Sequence, residues 1–209
     1  MPDPGARHGV TVTATGTASG APDVLRLRLA AESQARDVSG ALDGASRAMA
    51  AMVARLRAAG VAESDLRTSG ASLWSRTDDA GRITWQVAVQ RLTATLRDLA
   101  AAGALVPEVV QVGGPAARLD GLEFAVDDDA ALVRAARDDA WRRAGEVAAQ
   151  HAERAGQALG PVLRVVEATA GGGVMRPMAL AARARDAMPT QGGDQEVSVT
   201  IEVEWAFSA

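Results

Sequence analysis

Asp127-Asp128-Asp129 puts three consecutive carboxylates at the start of an apolar helical pattern, and carboxylates are the groups that hold hard cations. A calcium-type site needs further carboxylates at loop spacing, and none follows. The three aspartates therefore read as the cap of the helix behind them, where acidic side chains accept orphan amide hydrogen bonds. Any Ser-His-Asp arrangement must use His8 or His151, the only two histidines, and neither lies in a motif that orients a nucleophile. Gly16-Thr17-Ala18-Ser19-Gly20 has the composition of a phosphate loop. A strand rather than a helix follows it and no Lys accompanies it, so it reads as a turn. Gly171-Gly172-Gly173 offers free amides to an anion but reads first as a linker. No residue is assigned as catalytic, cofactor-binding or metal-binding, no cofactor is expected, and the balance falls against an enzyme.

The missing residue types press the same way. The 209 residues contain no Cys and no Tyr, and all 22 basic residues are Arg. That excludes a thiolate nucleophile, disulfides, thiolate zinc sites, a Schiff-base or phosphate-loop lysine, and a phenolic acid or base. Methionine oxidation is the one sulfur route left. A net charge of -4 gives no electrostatic footprint for nucleic acid. Met1 to Gly9 lacks the apolar run of a signal peptide, and no stretch is read as a membrane helix of 18 or so apolar residues. On this reading the chain is soluble and cytoplasmic, with no membrane-spanning segment.

The elements that must position any site are strands at both ends with helices between. Val10 to Thr15 alternates apolar and hydroxyl residues, as a half-buried strand does. Gly16 to Pro22 reads as a turn, and Val24 to Ala31 as a second strand. From Ala35 to Ala59 the period becomes helical, through Val38, Leu42, Ala45, Met49, Met52, Val53 and Leu56, with Gly60 placed to end it. Thr68 to Ser75 and Ile83 to Arg97 form the arms of a hairpin around Thr77 to Gly81. In the second arm the apolar parity changes near Gln90-Arg91, which predicts a β-bulge and hints at a second lobe. A short helix over Asp98 to Val112, a strand over Leu119 to Val126 and a long helix over Asp128 to Gly156 follow. Two (i, i+4) pairs, Asp138/Arg142 and Asp139/Arg143, are expected on that helix. Val162 to Ala168 is a strand, and Thr169 to Gln195 reads as a loop. Val197 to Phe207 is the cleanest alternating strand of all.

Alternating rather than continuous apolar strands predict antiparallel sheet with helices on one face. The fold class is α+β, a two-layer sandwich. Residues 1–9 form a flexible N-terminus and 10–207 a single domain, with a sub-lobe at about 92–168 and a mobile loop at 169–195. The terminal strands are expected in one sheet, with Arg26 and Arg28 opposite Glu202 and Glu204. The loop carries Met175, Met178, Met188, Arg176, Arg183 and Arg185, the residue types of an adaptable partner surface. Trp74, Trp85, Trp141 and Trp205 read as core by default, and an exposed Trp141 is the exception to watch for.

A series of short segments carries a resemblance. Val10-Thr11-Val12-Thr13-Ala14-Thr15-Gly16 is followed by Ala21-Pro22-Asp23 and an Arg/Leu strand; Leu56-Arg57-Ala58-Ala59-Gly60-Val61 precedes Asp65-Leu66-Arg67-Thr68-Ser69-Gly70. Then come Leu119-Asp120-Gly121-Leu122-Glu123-Phe124, Ala155-Gly156-Gln157-Ala158-Leu159-Gly160, Pro177-Met178 and Val197-Ser198-Val199-Thr200. In this order and spacing the chain resembles the SIMPL-domain family from about Val10 to Phe207. The resemblance implies a bacterial α+β protein with no established catalytic site. Some members are periplasmic or envelope antigens, some are linked to oxidative-stress tolerance, and some form large ring-like homo-oligomers. The chain departs from the pattern in having no leader ahead of Val10 and no Tyr in the hairpin between Ser75 and Trp85.

Two functions are therefore expected. One is a non-enzymatic, self-associating protein of stress tolerance or the cell periphery, a homo-oligomer with a protein partner as a further option and no nucleic acid. The other is a small-ligand-binding domain, or an Arg/Asp/Glu-based enzyme, with a pocket between helices and sheet.

Overall fold

A computed structural model describes residues 9–168, 176–177 and 193–208. His8, the glycines at 171–173 and the Met175, Met178, Met188, Arg183 and Arg185 cluster lie outside the described residues. Within the expected loop, Arg176–Pro177 (β7) forms a two-residue strand paired with Gln195 and Glu196. The chain divides into two compact units, the first of Met1–Ala21 with Val126–Ala209 and the second of Pro22–Ala125. These bounds differ from the sub-lobe expected at 92–168. Each unit is an antiparallel sheet carrying helices on one face, so the fold is an α+β sandwich.

In the first unit β1 (Gly9–Gly20), β8 (Gln195–Ser208) and β6 (Ala158–Glu167) lie in the order β1-β8-β6. The terminal strands pair antiparallel from Gly9↔Ala206 to Gly20↔Gln195 in unbroken register. Val197, Val199, Ile201, Val203 and Trp205 all point into the core, as the alternation of β8 predicts. Against them packs α3 (Ala130–Arg154), which buries alanine at every fourth position: 136, 140, 144, 148 and 152. Side chains this small let helix and sheet approach closely. A Cβ on Gly16 would lie 2.1 Å from the Ala140 amide nitrogen and 2.2 Å from the Ala136 carbonyl oxygen. This explains why the turn expected at Gly16 to Pro22 is strand as far as Gly20: the glycine marks a close backbone approach, not a bend.

In the second unit β3 (Leu66–Thr77), β4 (Ile83–Leu96), β2 (Val24–Ala35) and β5 (Ala117–Ala125) form the order β3-β4-β2-β5. Helices α1 (Val38–Ala58) and α2 (Leu99–Gly113) cover one face, with Leu25, Leu27, Leu29, Met52, Leu56, Leu92, Leu96 and Val109 in the core. Asp37 caps α1 by accepting from the Gly40 amide at 2.8 Å. Its other end closes as expected. Gly60 has φ 86°, its amide donates to the Arg57 carbonyl, and the Val61 amide reaches back to Leu56. The 99–116 segment is apolar and long enough to pass for a membrane span by length and composition, contrary to the sequence reading. One face of it buries Ala102, Leu105, Val106 and Val109 against the rest of the unit, and 28% of the span is buried.

Two expectations fail here. β4 pairs with β2 in constant register from Gln86 to Leu96, so it carries no bulge near Gln90-Arg91; the extra residue there is Ser69, on β3, and the irregularity of β4 itself lies at Thr84. The parity change arises because Val87 and Val89 are buried on one face of β4, while Leu92, Ala94 and Leu96 are buried on the other. Arg26 and Arg28 do not face Glu202 and Glu204, since β2 and β8 belong to different sheets. Arg28 lies 4.0 Å from Glu123, and Glu202 accepts from Arg164 at 3.2 Å.

Candidate functional site

The second unit holds a cavity of about 540 Å³. The C-terminal end of α1 (Arg55, Ala59), the turn behind it (Gly60, Val61, Ser64, Asp65), the end of β4 (Leu96, Arg97) and the first turns of α2 (Ala101, Ala104, Leu105, Glu108) line it. Local sequence explains each wall. Gly60 ends α1 in a left-handed turn, and Glu63–Asp65 form a 3₁₀ turn that enters β3. Asp98 then starts α2 by accepting from the Ala101 amide at 3.0 Å.

Two ion pairs tie these walls together. Arg97 forks onto Asp65, Nε to Oδ2 and Nη2 to Oδ1, both at 2.9 Å. Arg55 pairs with Glu108, its Nε donating at 3.0 Å. The Asp65 side chain is only 12% exposed, and the hydrogen bonds from Arg97 hold its carboxyl below the usual aspartate range, helped by the guanidinium charge. Just outside, Arg57 forks onto Glu63 at 2.8 and 2.6 Å, which lowers the glutamate in the same way.

Chemically this is a binding geometry. A carboxylate whose pKa is pushed down is a poorer proton acceptor at neutral pH. Ser64 is the one hydroxyl on the turn, and no His, Cys, Lys or Tyr lines the cavity. Arg55 and Arg97 supply charge, while Val61, Leu96, Ala101, Ala104 and Leu105 supply an apolar floor.

The residues singled out from sequence do not converge on it. His151 sits exposed in the last turn of α3, where a cation complements the helix dipole. Asp128, not Asp129, meets the start of α3: its Oδ1 accepts from the Ala130 amide at 3.0 Å, while Asp129 occupies the N-cap position with no side-chain cap bond. Among the described residues no group of three His, Cys, Asp or Glu is placed to hold a metal ion. On α3 the expected Asp139/Arg143 pair forms at 2.7 Å, but Arg142 turns to Asp139 and Glu146 rather than to Asp138. The cavity is lined by residues of the second unit alone. The segments Leu56 to Val61 and Asp65 to Gly70, quoted for the resemblance, supply part of its lining, which no local pattern announces. The closing partners, Arg97 and Glu108, are distant in the chain, and nothing local signals them.

Two antiparallel sheets, each with helix packed on one face, place the chain in an α+β class of protein. The chain belongs to the SIMPL family, described as proteins of unknown function (DUF541), whose model matches residues 10–205. It is similar to the 26 kDa periplasmic immunogenic protein of Brucella melitensis, with 27% identity covering 93% of this chain and 82% of that one. The protein of the same description from Brucella abortus matches equally, at 27% identity over the same shares. These relatives contradict the cytoplasmic location expected from the sequence, because both are named periplasmic. That expectation rested on the absence of an apolar run before Val10, and an absence at the start of a sequence carries no address.

Proposed function

We propose that this chain is a non-enzymatic, self-associating protein of the periplasm that acts through its surfaces, in envelope or stress physiology. The carrying observation is the outer edge of β6. That strand pairs only with β8 among the described residues, so its other edge offers unpaired amides and carbonyls. Val162, Leu163, Val165 and Val166 along it are 36–47% exposed. Proteins ordinarily blunt such edges with proline or inward charge. Here Pro161 guards the start, and Arg164 alone interrupts the apolar run, its guanidinium drawn to Glu202 at 3.2 Å. An apolar edge on both faces of the strand is suited to extending the sheet into another copy.

The test is solution mass by light scattering on wild type and on Val165→Lys. Wild type is expected as a defined oligomer, and the lysine variant, folded by circular dichroism, as a smaller species. Wild type that stays monomeric at every concentration overturns the reading.

The cavity supports a second reading, a small-ligand-binding domain. Its apolar floor beside two arginine–carboxylate pairs suits an amphiphile with a charged head. An amphiphilic dye, 1-anilinonaphthalene-8-sulfonate, is expected to bind wild type and to lose a class of sites in Ala104→Trp. Unchanged binding in that variant removes this reading.

A further inference from the structure

The hairpin of β3 and β4 exposes a group of side chains that neither reading uses. Trp74 pairs across the sheet with Val87, and Arg76 with Trp85, so all four lie on one face, opposite Ala88, which packs on Ala41 and Ala45 of α1. Beyond Trp85 the register shifts at Thr84, so Ile83 pairs with Thr77 and falls on the other face near the turn. Exposures are 44% at Trp74, 38% at Trp85 and 60% at Ile83, far from core values. Arg36 stands over the Trp85 ring, 4.2 Å from its centroid, and donates to the Thr84 carbonyl at 3.1 Å.

The charged groups beside the indoles are both cationic, Arg36 and Arg76, while the turn beyond them adds the exposed carboxylate of Asp79. Neither Arg36 nor Arg76 forms an ion pair among the described residues, although most arginines around them do. The nearest turn carboxylate, Asp78, is occupied: it accepts from Arg82 Nε at 2.9 Å and from the amides of Ala80 and Arg82. Two copies of this face set together would bring arginine against arginine, so it does not complement itself. The partner it complements is anionic and apolar at once.

The shape narrows the partner. A sugar or base stacks on a one-sided aromatic platform, but this hairpin is apolar on both faces, since Leu73, next to Trp74, is 44% exposed on the other side. A two-sided wedge with an aliphatic residue near its tip, two indoles behind and guanidinium groups beside them matches the boundary of a bilayer. There Trp takes the headgroup level and Arg meets phosphate. We infer that the β3–β4 hairpin docks the protein on an anionic lipid surface, with Ile83, Trp85 and Trp74 entering the interface and Arg36 and Arg76 facing lipid phosphates.

The experiment is cosedimentation of the full chain with vesicles of phosphatidylglycerol and phosphatidylcholine, against pure phosphatidylcholine, with tryptophan quenching by acyl-brominated lipid. Wild type is expected to partition to the anionic vesicles only, and Trp74→Phe/Trp85→Phe to lose most of the quenching. Ile83→Asp should weaken partitioning about ten-fold or more, and Arg36→Gln/Arg76→Gln roughly thirty-fold. All are surface positions, and unchanged circular dichroism establishes that each variant is folded. Folded wild type that stays in the supernatant overturns the inference. So does partitioning that survives Ile83→Asp, or a solution mass that falls in Ile83→Asp without lipid, which would give the patch to a second copy.

Discussion

Asp139 does more than any other carboxylate of the first unit. It accepts from the Thr17 amide at 3.1 Å, from Arg142 at 2.5 Å and from Arg143 at 2.7 Å, and so ties β1 to α3. The Arg142 hydrogen bond and then the Thr17 amide hold its pKa below the usual range, as Arg97 does for Asp65. A carboxyl whose folded pKa is depressed stabilises fully above its unfolded value, about 3.9, and that stability disappears as pH falls through the folded value. Acid unfolding is therefore expected to set in below pH ~4, and Asp139→Asn to flatten that part of the profile. The same variant should speed hydrogen exchange at the Thr17 amide, while the amides of central β8 are unaffected. An unchanged Thr17 rate would mean that the contact does not hold the strand. The (i, i+4) spacing made Asp139/Arg143 legible in the sequence. The Thr17 contact was not, because it depends on how closely helix and sheet approach.

Between β1 and α3 that approach is set by Gly16 and the alanine ladder. Gly16→Ala places a methyl into the backbone at Ala136 and Ala140, where no side chain can move aside, so the cost is expected at about 3 kcal/mol or more. A urea denaturation series measures it; a loss under 1 kcal/mol (approximately the surface-substitution range) would contradict the packing described. The elements themselves were legible wherever one face is buried. The alternation of β8 gave its inward residues, and the period of α1 with Gly60 gave its end. Legibility failed where a rule has two readings. Gly16 to Gly20 has turn composition yet lies in strand, because glycine permits close packing as well as bending. The parity of β4 changes without a bulge near Gln90-Arg91, because Val87 and Val89 are buried on its second face. The true bulge at Ser69 falls among small exposed residues, where no hydrophobic pattern records it. The cavity could not be read locally at all, since it closes through Arg97–Asp65 and Arg55–Glu108.

At the scale of the whole molecule, two stretches of exposed apolar surface differ in character. The β6 edge has open backbone groups and little charge, which suits another strand. The β3–β4 hairpin has indoles, flanked by Arg36 and Arg76, which form no ion pair among the described residues, and this suits an anionic apolar boundary. The two surfaces should therefore respond independently: Val165→Lys is expected to change solution mass and leave vesicle binding intact, and Ile83→Asp the reverse. The family and its periplasmic relatives bound the setting, and the function proposed for the chain lies in its surfaces. Size-exclusion chromatography with light scattering, on wild type beside Val165→Lys, tests that most directly. A defined multiple of 21.4 kDa that collapses toward a single chain in the lysine variant is the expected result. A wild-type mass of one chain at all concentrations, or an oligomer indifferent to Val165→Lys, would contradict assembly through β6.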